Sequence, residues 1–153
     1  MSRAAKEKTK KKVNNFIRLV IPSELCEVEN VCRGVRGMLT EHGLDDNAFA
    51  VDLLLREFVN NAILHGNCLD CAKMVEVSAR IGRKWITLSV TDEGPGFCWR
   101  ALRCHFPKPS DTSGRGLTIG SLYADRIIFN KAGNRVMLML KKQGKLKEET
   151  LYE

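Results

Sequence analysis

Glu57, Asn61 and His65 recur at every fourth position of a stretch whose apolar residues follow helical spacing, so they share one helix face. Such a stripe is often no more than a solvent face. It also offers a coherent chemistry. The Asn61 carboxamide oxygen is a hard ligand of the kind magnesium accepts beside triphosphate oxygens and water. The Glu57 carboxylate, one turn earlier, can take a proton from a nucleophile attacking a γ-phosphate, or orient that nucleophile. His65 fits better as a brace for the loop that follows, through a hydrogen bond, than as a chemical group.

Two further segments offer complementary groups. Asp92 is followed by Gly94-Pro95-Gly96. Glycines permit close backbone approach, and a carboxylate can accept from an exocyclic amine such as adenine N6. A tight turn with a solvated aspartate explains the same residues equally well. Gly114-Arg115-Gly116 directly precedes an apolar-periodic stretch, where free N–H groups and the helix dipole favour phosphate. Gly114, Gly116 and Gly120 have GxGxxxG spacing and follow a loop, so they are not a dinucleotide fingerprint, and no GxxxxGK[ST] exists.

The elements that must position these groups can be read from periodicity. Asn15-Phe16-Ile17-Arg18-Leu19-Val20-Ile21 predicts a strand, ended by Pro22-Ser23, with Ser23 available as a helix N-cap. Leu25, Val28, Val31, Cys32, Val35, Met38 and Leu39 predict a first helix closing at Gly43. Asp45 or Asp46 would cap a second helix carrying Phe49, Val51, Leu53, Leu54, Phe58, Val59, Ala62 and Ile63 as far as His65-Gly66. Residues 74–81 and 85–91 alternate about Gly82-Arg83-Lys84 and predict an antiparallel hairpin, leaving Asp92 at a strand exit. Residues 94–114 hold three of the four prolines and predict a long functional loop. Leu117, Ile119, Leu122 and Tyr123 mark a short third helix. A second hairpin is expected around Ala132-Gly133. The pattern predicts an α+β fold, a two-layer α/β sandwich whose mixed, mostly antiparallel sheet carries helices on one face.

Composition bounds the class. The chain has 153 residues, 44% hydrophobic and 28% charged, ordinary for one soluble domain. No apolar run approaches the roughly 20 residues of a membrane helix, and no signal-peptide core follows the basic start, so a cytoplasmic protein is expected. The net charge of +7 is concentrated in Arg3, Lys6, Lys8, Lys10, Lys11 and Lys12. Residues 1–13 are expected to form a disordered basic arm, residues 14–142 the domain, and residues 143–153 a charged tail. The arm lacks interleaved aromatics, so direct nucleic-acid binding is not expected. Six cysteines without an export signal read as reduced thiols. Cys68-Leu69-Asp70-Cys71 is a lone CxxC that Cys98 with Cys104-His105 would have to complete into a zinc site.

In order, Glu57-Phe58-Val59-Asn60-Asn61-Ala62-Ile63-Leu64-His65-Gly66, Asp92-Glu93-Gly94-Pro95-Gly96-Phe97 and Gly114-Arg115-Gly116-Leu117 resemble the nucleotide-binding boxes of the gyrase, chaperone and histidine-kinase ATPase superfamily. The Asn-Ala-Ile-x-His-Gly tract and short lid look most like small bacterial serine/threonine kinases that act as anti-sigma factors. The resemblance spans about residues 15–142. It implies a Bergerat-type fold binding Mg-ATP, with Asn61 on Mg2+, Glu57 as catalytic base and Asp92 on adenine. Gly94, Gly96, Gly114, Arg115, Gly116 and Leu117 would shape the lid and phosphate cradle. Arg100, Arg103, Lys108 and Arg115 are candidates for gripping the γ-phosphate, Arg115 favoured by its place between glycines. The resemblance further implies phosphorylation of a serine or threonine on an anti-anti-sigma partner, and sequestration of a sigma factor by a kinase homodimer. A detached histidine-kinase ATPase module, or a non-catalytic nucleotide-binding regulator, would carry the same boxes.

Overall fold

The computed structural model describes residues 13–97 and 115–143, the side chains of residues 115–118 excepted. Five strands alternate apolar and polar residues: β1 (Phe16–Pro22), β2 (Met74–Ile81), β3 (Trp85–Thr91), β4 (Arg126–Phe129) and β5 (Arg135–Lys141). They form one sheet in the order β1-β2-β3-β5-β4. Every described pairing is antiparallel, so the expected mixed character is absent among the described residues.

The register aligns the apolar positions on one side of the sheet. Leu19, Val77, Val90, Val136 and Phe129 make one continuous row across all five strands, and Ile17, Ala79, Leu88, Leu138 and Ile127 make the next. A slip of one residue would turn either row to solvent, so burial of this face fixes the pairing. The other face stays open and carries polar residues such as Arg18, Glu76, Ser78 and Thr87, with an Arg18–Glu76 ion pair at 2.7 Å.

Helices cover the apolar face. A 3-10 turn (Leu25–Glu27) leads into α1 (Val28–Glu41), which buries Val28, Val31, Cys32, Val35, Met38 and Leu39. Leu25, expected in that stripe, is exposed. Ser23 does not cap the helix. Its hydroxyl is buried and donates to the Lys73 carbonyl at 2.7 Å. Gly43, at φ +66°, ends α1, and the Leu44 N–H returns to the Leu39 carbonyl at 2.9 Å, the closure a left-handed glycine permits.

A second 3-10 turn (Asp45–Asn47) precedes α2 (Ala48–Asn61). Neither Asp45 nor Asp46 caps α2. Asp45 accepts from the Thr40 hydroxyl, and the buried Asn47 reaches across to the Lys141 carbonyl and the Gln143 N–H, tying this corner to the end of β5. Val51, Leu54, Leu55, Phe58 and Val59 form the buried face of α2. Phe49 is instead exposed and meets Tyr123 edge-on, with ring centroids 5.9 Å apart. Arg56 straps α2 to α1 by bonding both Asp52 and Glu29, while Arg36 of α1 bonds Asp52.

The last helix, α3 (Arg115–Tyr123), lies on α2. A Cβ added at Gly120 would stand 2.6 Å from Ile127 Cδ1 and 3.3 Å from the Phe58 ring, so glycine is what permits this close packing. Tyr123 meets Phe49 near the start of α2, whereas Gly120 meets Phe58 near its end. Helix α3 therefore runs antiparallel to α2, with its first turn directed toward the Asn61 end.

Candidate nucleotide-binding site

Glu57 and Asn61 stand one turn apart on α2, about 6 Å along its axis by helical rise. Both are partly exposed, and among the described residues neither side chain makes a hydrogen bond. Past Asn61 the helix widens into a π turn (Ala62–Gly66), closed by the Asn67 N–H to the Ala62 carbonyl at 2.8 Å. Such turns often occur at functional sites, and this one takes the residues after Asn61 out of α-helical phase. His65 is thereby displaced from the Glu57–Asn61 line. Its carbonyl, and not its imidazole, contacts the following loop, by accepting the Cys68 thiol at 3.6 Å.

Gly66 is where the helix segment meets the strand-exit segment. A Cβ there would overlap the Asp92 carboxyl group, and a Cβ on Gly94 would overlap the Gly66 carbonyl. Bare backbone on both sides lets Asp92 press against the end of the π turn. Asp92 leaves β3 with its N–H on the Asn134 carbonyl at 2.9 Å, and its Oδ1 accepts the Gly94 N–H at 2.8 Å. The tight-turn reading of Asp92 therefore holds, with one carboxylate oxygen closing the turn and the other making no hydrogen bond among the described residues. Burial pushes the half-buried carboxyl above its ordinary value, and the Gly94 N–H and Lys73 draw it only partly back.

Gly96 has a different reason from the one its motif suggested. At φ +79° it lies under the β4–β5 turn, where a Cβ would overlap the Ala132 carbonyl. Gly133, at φ +81°, fits under the Phe97 backbone in return. The two glycines interlock the segment after Asp92 with the distal hairpin, so Gly96 fixes where the long loop departs. Asn130 completes that hairpin by accepting the N–H groups of Gly133, Asn134 and Arg135 on its Oδ1.

In the third glycine segment, Arg115, Gly116 and Leu117 lie inside the first turn of α3, not before it. Gly114, Arg100, Arg103 and Lys108 lie outside the described residues, as do the basic arm through Lys12 and the tail from Gly144. Cys68 and Cys71 are exposed free thiols. Among the described residues no group of three or more His, Cys, Asp or Glu is placed to hold a metal ion, and Cys98, Cys104 and His105 fall outside them.

The spatial order is therefore a helix with a carboxylate and a carboxamide, a half-buried carboxylate at a strand exit, and a helix start, all at one end of the helical layer. Residues 21–140 match the Histidine kinase-like ATPase domain. The chain belongs to this family. No curated protein matches the chain. Membership makes it an ATP-binding domain and accounts for the α/β layers and the antiparallel sheet. No helix among the described residues is long and apolar enough to cross a membrane.

The residue that sequence reasoning missed in this ATPase domain is Asn67. It is buried, and its amide joins three segments: Nδ2 donates to Ser23 Oγ and the Met74 carbonyl, and Oδ1 accepts the Glu93 N–H. The available signal was an amide directly after His65-Gly66. The turn that follows places Cys68 and Leu69 at φ 51° and 58°, a conformation that normally calls for glycine or asparagine and that these two residue types do not announce.

Proposed function

We propose that this ATPase domain is a Mg-ATP-dependent protein serine/threonine kinase that phosphorylates an anti-anti-sigma partner and sequesters a sigma factor. The observation that carries the reading is Glu57, held one turn before Asn61 with a carboxylate that no described residue occupies. In this scheme Asp92 selects adenine by accepting its amino group, and the first turn of α3 faces the phosphates. Glu57 accepts the proton of a partner serine as its Oγ forms a bond to the γ-phosphorus. The bond from that phosphorus to the bridging oxygen breaks, and ADP departs.

The Asn61 carboxamide suits a magnesium ion that keeps its other ligands from phosphate and water, since no described cluster provides an all-protein cage. When bound, magnesium would neutralise charge on the phosphates. A histidine acceptor within the described chain has less support. His42 is spent at the end of α1, with Nε2 3.0 Å from the Asn14 carbonyl.

The test is incubation with Mg-ATP and a serine-bearing anti-anti-sigma protein recovered by co-purification. Acid-stable phosphoserine on the partner, lost with Glu57→Ala, is the expected outcome. Acid-labile phosphohistidine on another chain, or nucleotide binding without any transfer, would overturn the assignment in favour of a histidine-kinase module or a regulatory nucleotide sensor.

A further inference from the structure

We infer that Asn67 is the positioning residue that sets base selectivity, by holding the Asp92 carboxylate at the angle adenine requires. The inference rests on Asp92 being the adenine acceptor. Asn67 uses both amide N–H groups and one face of its carbonyl: 2.8 Å to Ser23 Oγ, 3.0 Å to the Met74 carbonyl and 2.8 Å from the Glu93 N–H. The Ser23 hydroxyl passes the connection on to the Lys73 carbonyl at 2.7 Å, and the Glu93 carboxylate accepts the Met74 N–H at 2.5 Å. The end of β1, the start of β2 and the exit of β3 are thus tied to the π turn through one buried amide.

That geometry has a direct consequence for Asp92. Its backbone is held on one side by Asn134 and on the other by the Asn67–Glu93 bond, and its Oδ1 is spent on Gly94. Oδ2, beside Gly66, makes no hydrogen bond among the described residues and is the acceptor available to a ligand. An adenine amino group donates to it, whereas the 6-oxo group of inosine or guanine presents a lone pair and is repelled. Selectivity therefore depends on the carboxylate being unable to turn away, and Asn67 supplies that constraint without touching the base.

The experiment compares ATP with inosine triphosphate, which differs at this position by an oxo group for an amine. Wild-type protein should bind ATP more tightly, and Asn67→Ala should lower the ATP:ITP affinity ratio about tenfold, with most of the loss on the ATP side. A purely structural role would lower both affinities together and leave the ratio unchanged, which overturns the inference. Should Asn67→Ala fail to fold by circular dichroism, Ser23→Ala decides. It loosens only one of the three Asn67 bonds and should lower the ratio about threefold, and an unchanged ratio again overturns the inference. Failure of the underlying adenine reading looks different, because wild-type protein would then show no preference for ATP and Asp92→Asn would change nothing.

Discussion

The two ends of the proposed nucleotide site are built on opposite plans. At the end proposed for adenine, Asp92, Glu93, Asn67 and Ser23 are joined by hydrogen bonds across three strands and a π turn, and Gly66, Gly94, Gly96 and Gly133 let backbones touch. At the end proposed for the phosphates, Glu57 and Asn61 project from α2 with no hydrogen bond among the described residues. The difference follows from what each end must recognise. A flat base is selected by fixed groups whose geometry is set beforehand. A transferring phosphoryl group needs side chains whose hydrogen-bonding capacity is not already used.

The largest effects should come from removing the uncommitted groups. Glu57→Gln should lower kcat for serine phosphorylation by about 100-fold to 10,000-fold, with ATP affinity changed by no more than about twofold. Steady-state kinetics beside equilibrium nucleotide binding measures this, and a large loss of affinity would mean that Glu57 belongs to the rigid end. The reverse pattern is expected for Gly96→Ala. The left-handed backbone and the overlap with the Ala132 carbonyl should cost about 3 kcal/mol of folding stability by urea denaturation, because no side chain can yield there. Wild-type stability in that variant would mean that the loop and hairpin do not interlock.

The same contrast explains what was legible in the sequence. The placement of Glu57, Asn61 and Asp92 was legible: the first two lie one turn apart on α2 and the third leaves β3, as spacing and alternation predicted. The sheet face was legible because Val75, Val77, Ala79 and Ile81 alternate strictly and are all buried. The helix starts were not legible. Ser23 and Asp45, both good caps by composition, were drawn into tertiary bonds with Lys73 and Thr40 that no local rule predicts. Asn67 was missed for the same reason, since its three partners lie 7, 26 and 44 residues away along the chain. Gly96 was noticed, but its partner Ala132 belongs to a distant hairpin, so the motif gave its importance without its cause.

Asp92→Asn joins the two plans. Because burial raises the folded-state pKa of Asp92, the folded protein holds its proton to a higher pH than the unfolded chain does. Ionisation therefore costs stability as pH rises from the ordinary carboxylate range through the folded value, and that cost persists at neutral pH. The asparagine variant should be at least as stable as wild type at pH 7 while binding ATP about tenfold to 100-fold more weakly, as read by thermal melting and titration. Wild-type ATP affinity should fall on acidification at a pH above that of an unperturbed aspartate, and a flat profile would argue that Asp92 does not meet the base as a carboxylate.

The smallest effect is expected at the strap between α1 and α2. The Arg56 guanidinium holds the Glu29 carboxyl below its ordinary value, and at Asp52 the Arg56 and Arg36 hydrogen bonds outweigh a burial effect that by itself would raise it. Both carboxyls are lowered, so their contribution is present above the unfolded carboxylate range and is lost as pH falls through the folded values. Exposed pairs of this kind are screened by solvent and salt, so Arg56→Met should lower the urea midpoint only slightly at neutral pH, with the difference closing in acid. Arg56 adjoins Glu57 in sequence but points along a different face of α2, toward α1. ATP affinity and kcat should therefore stay at wild-type levels, and a loss of turnover would mean that the strap sets the position of Glu57 as well as the packing of the two helices.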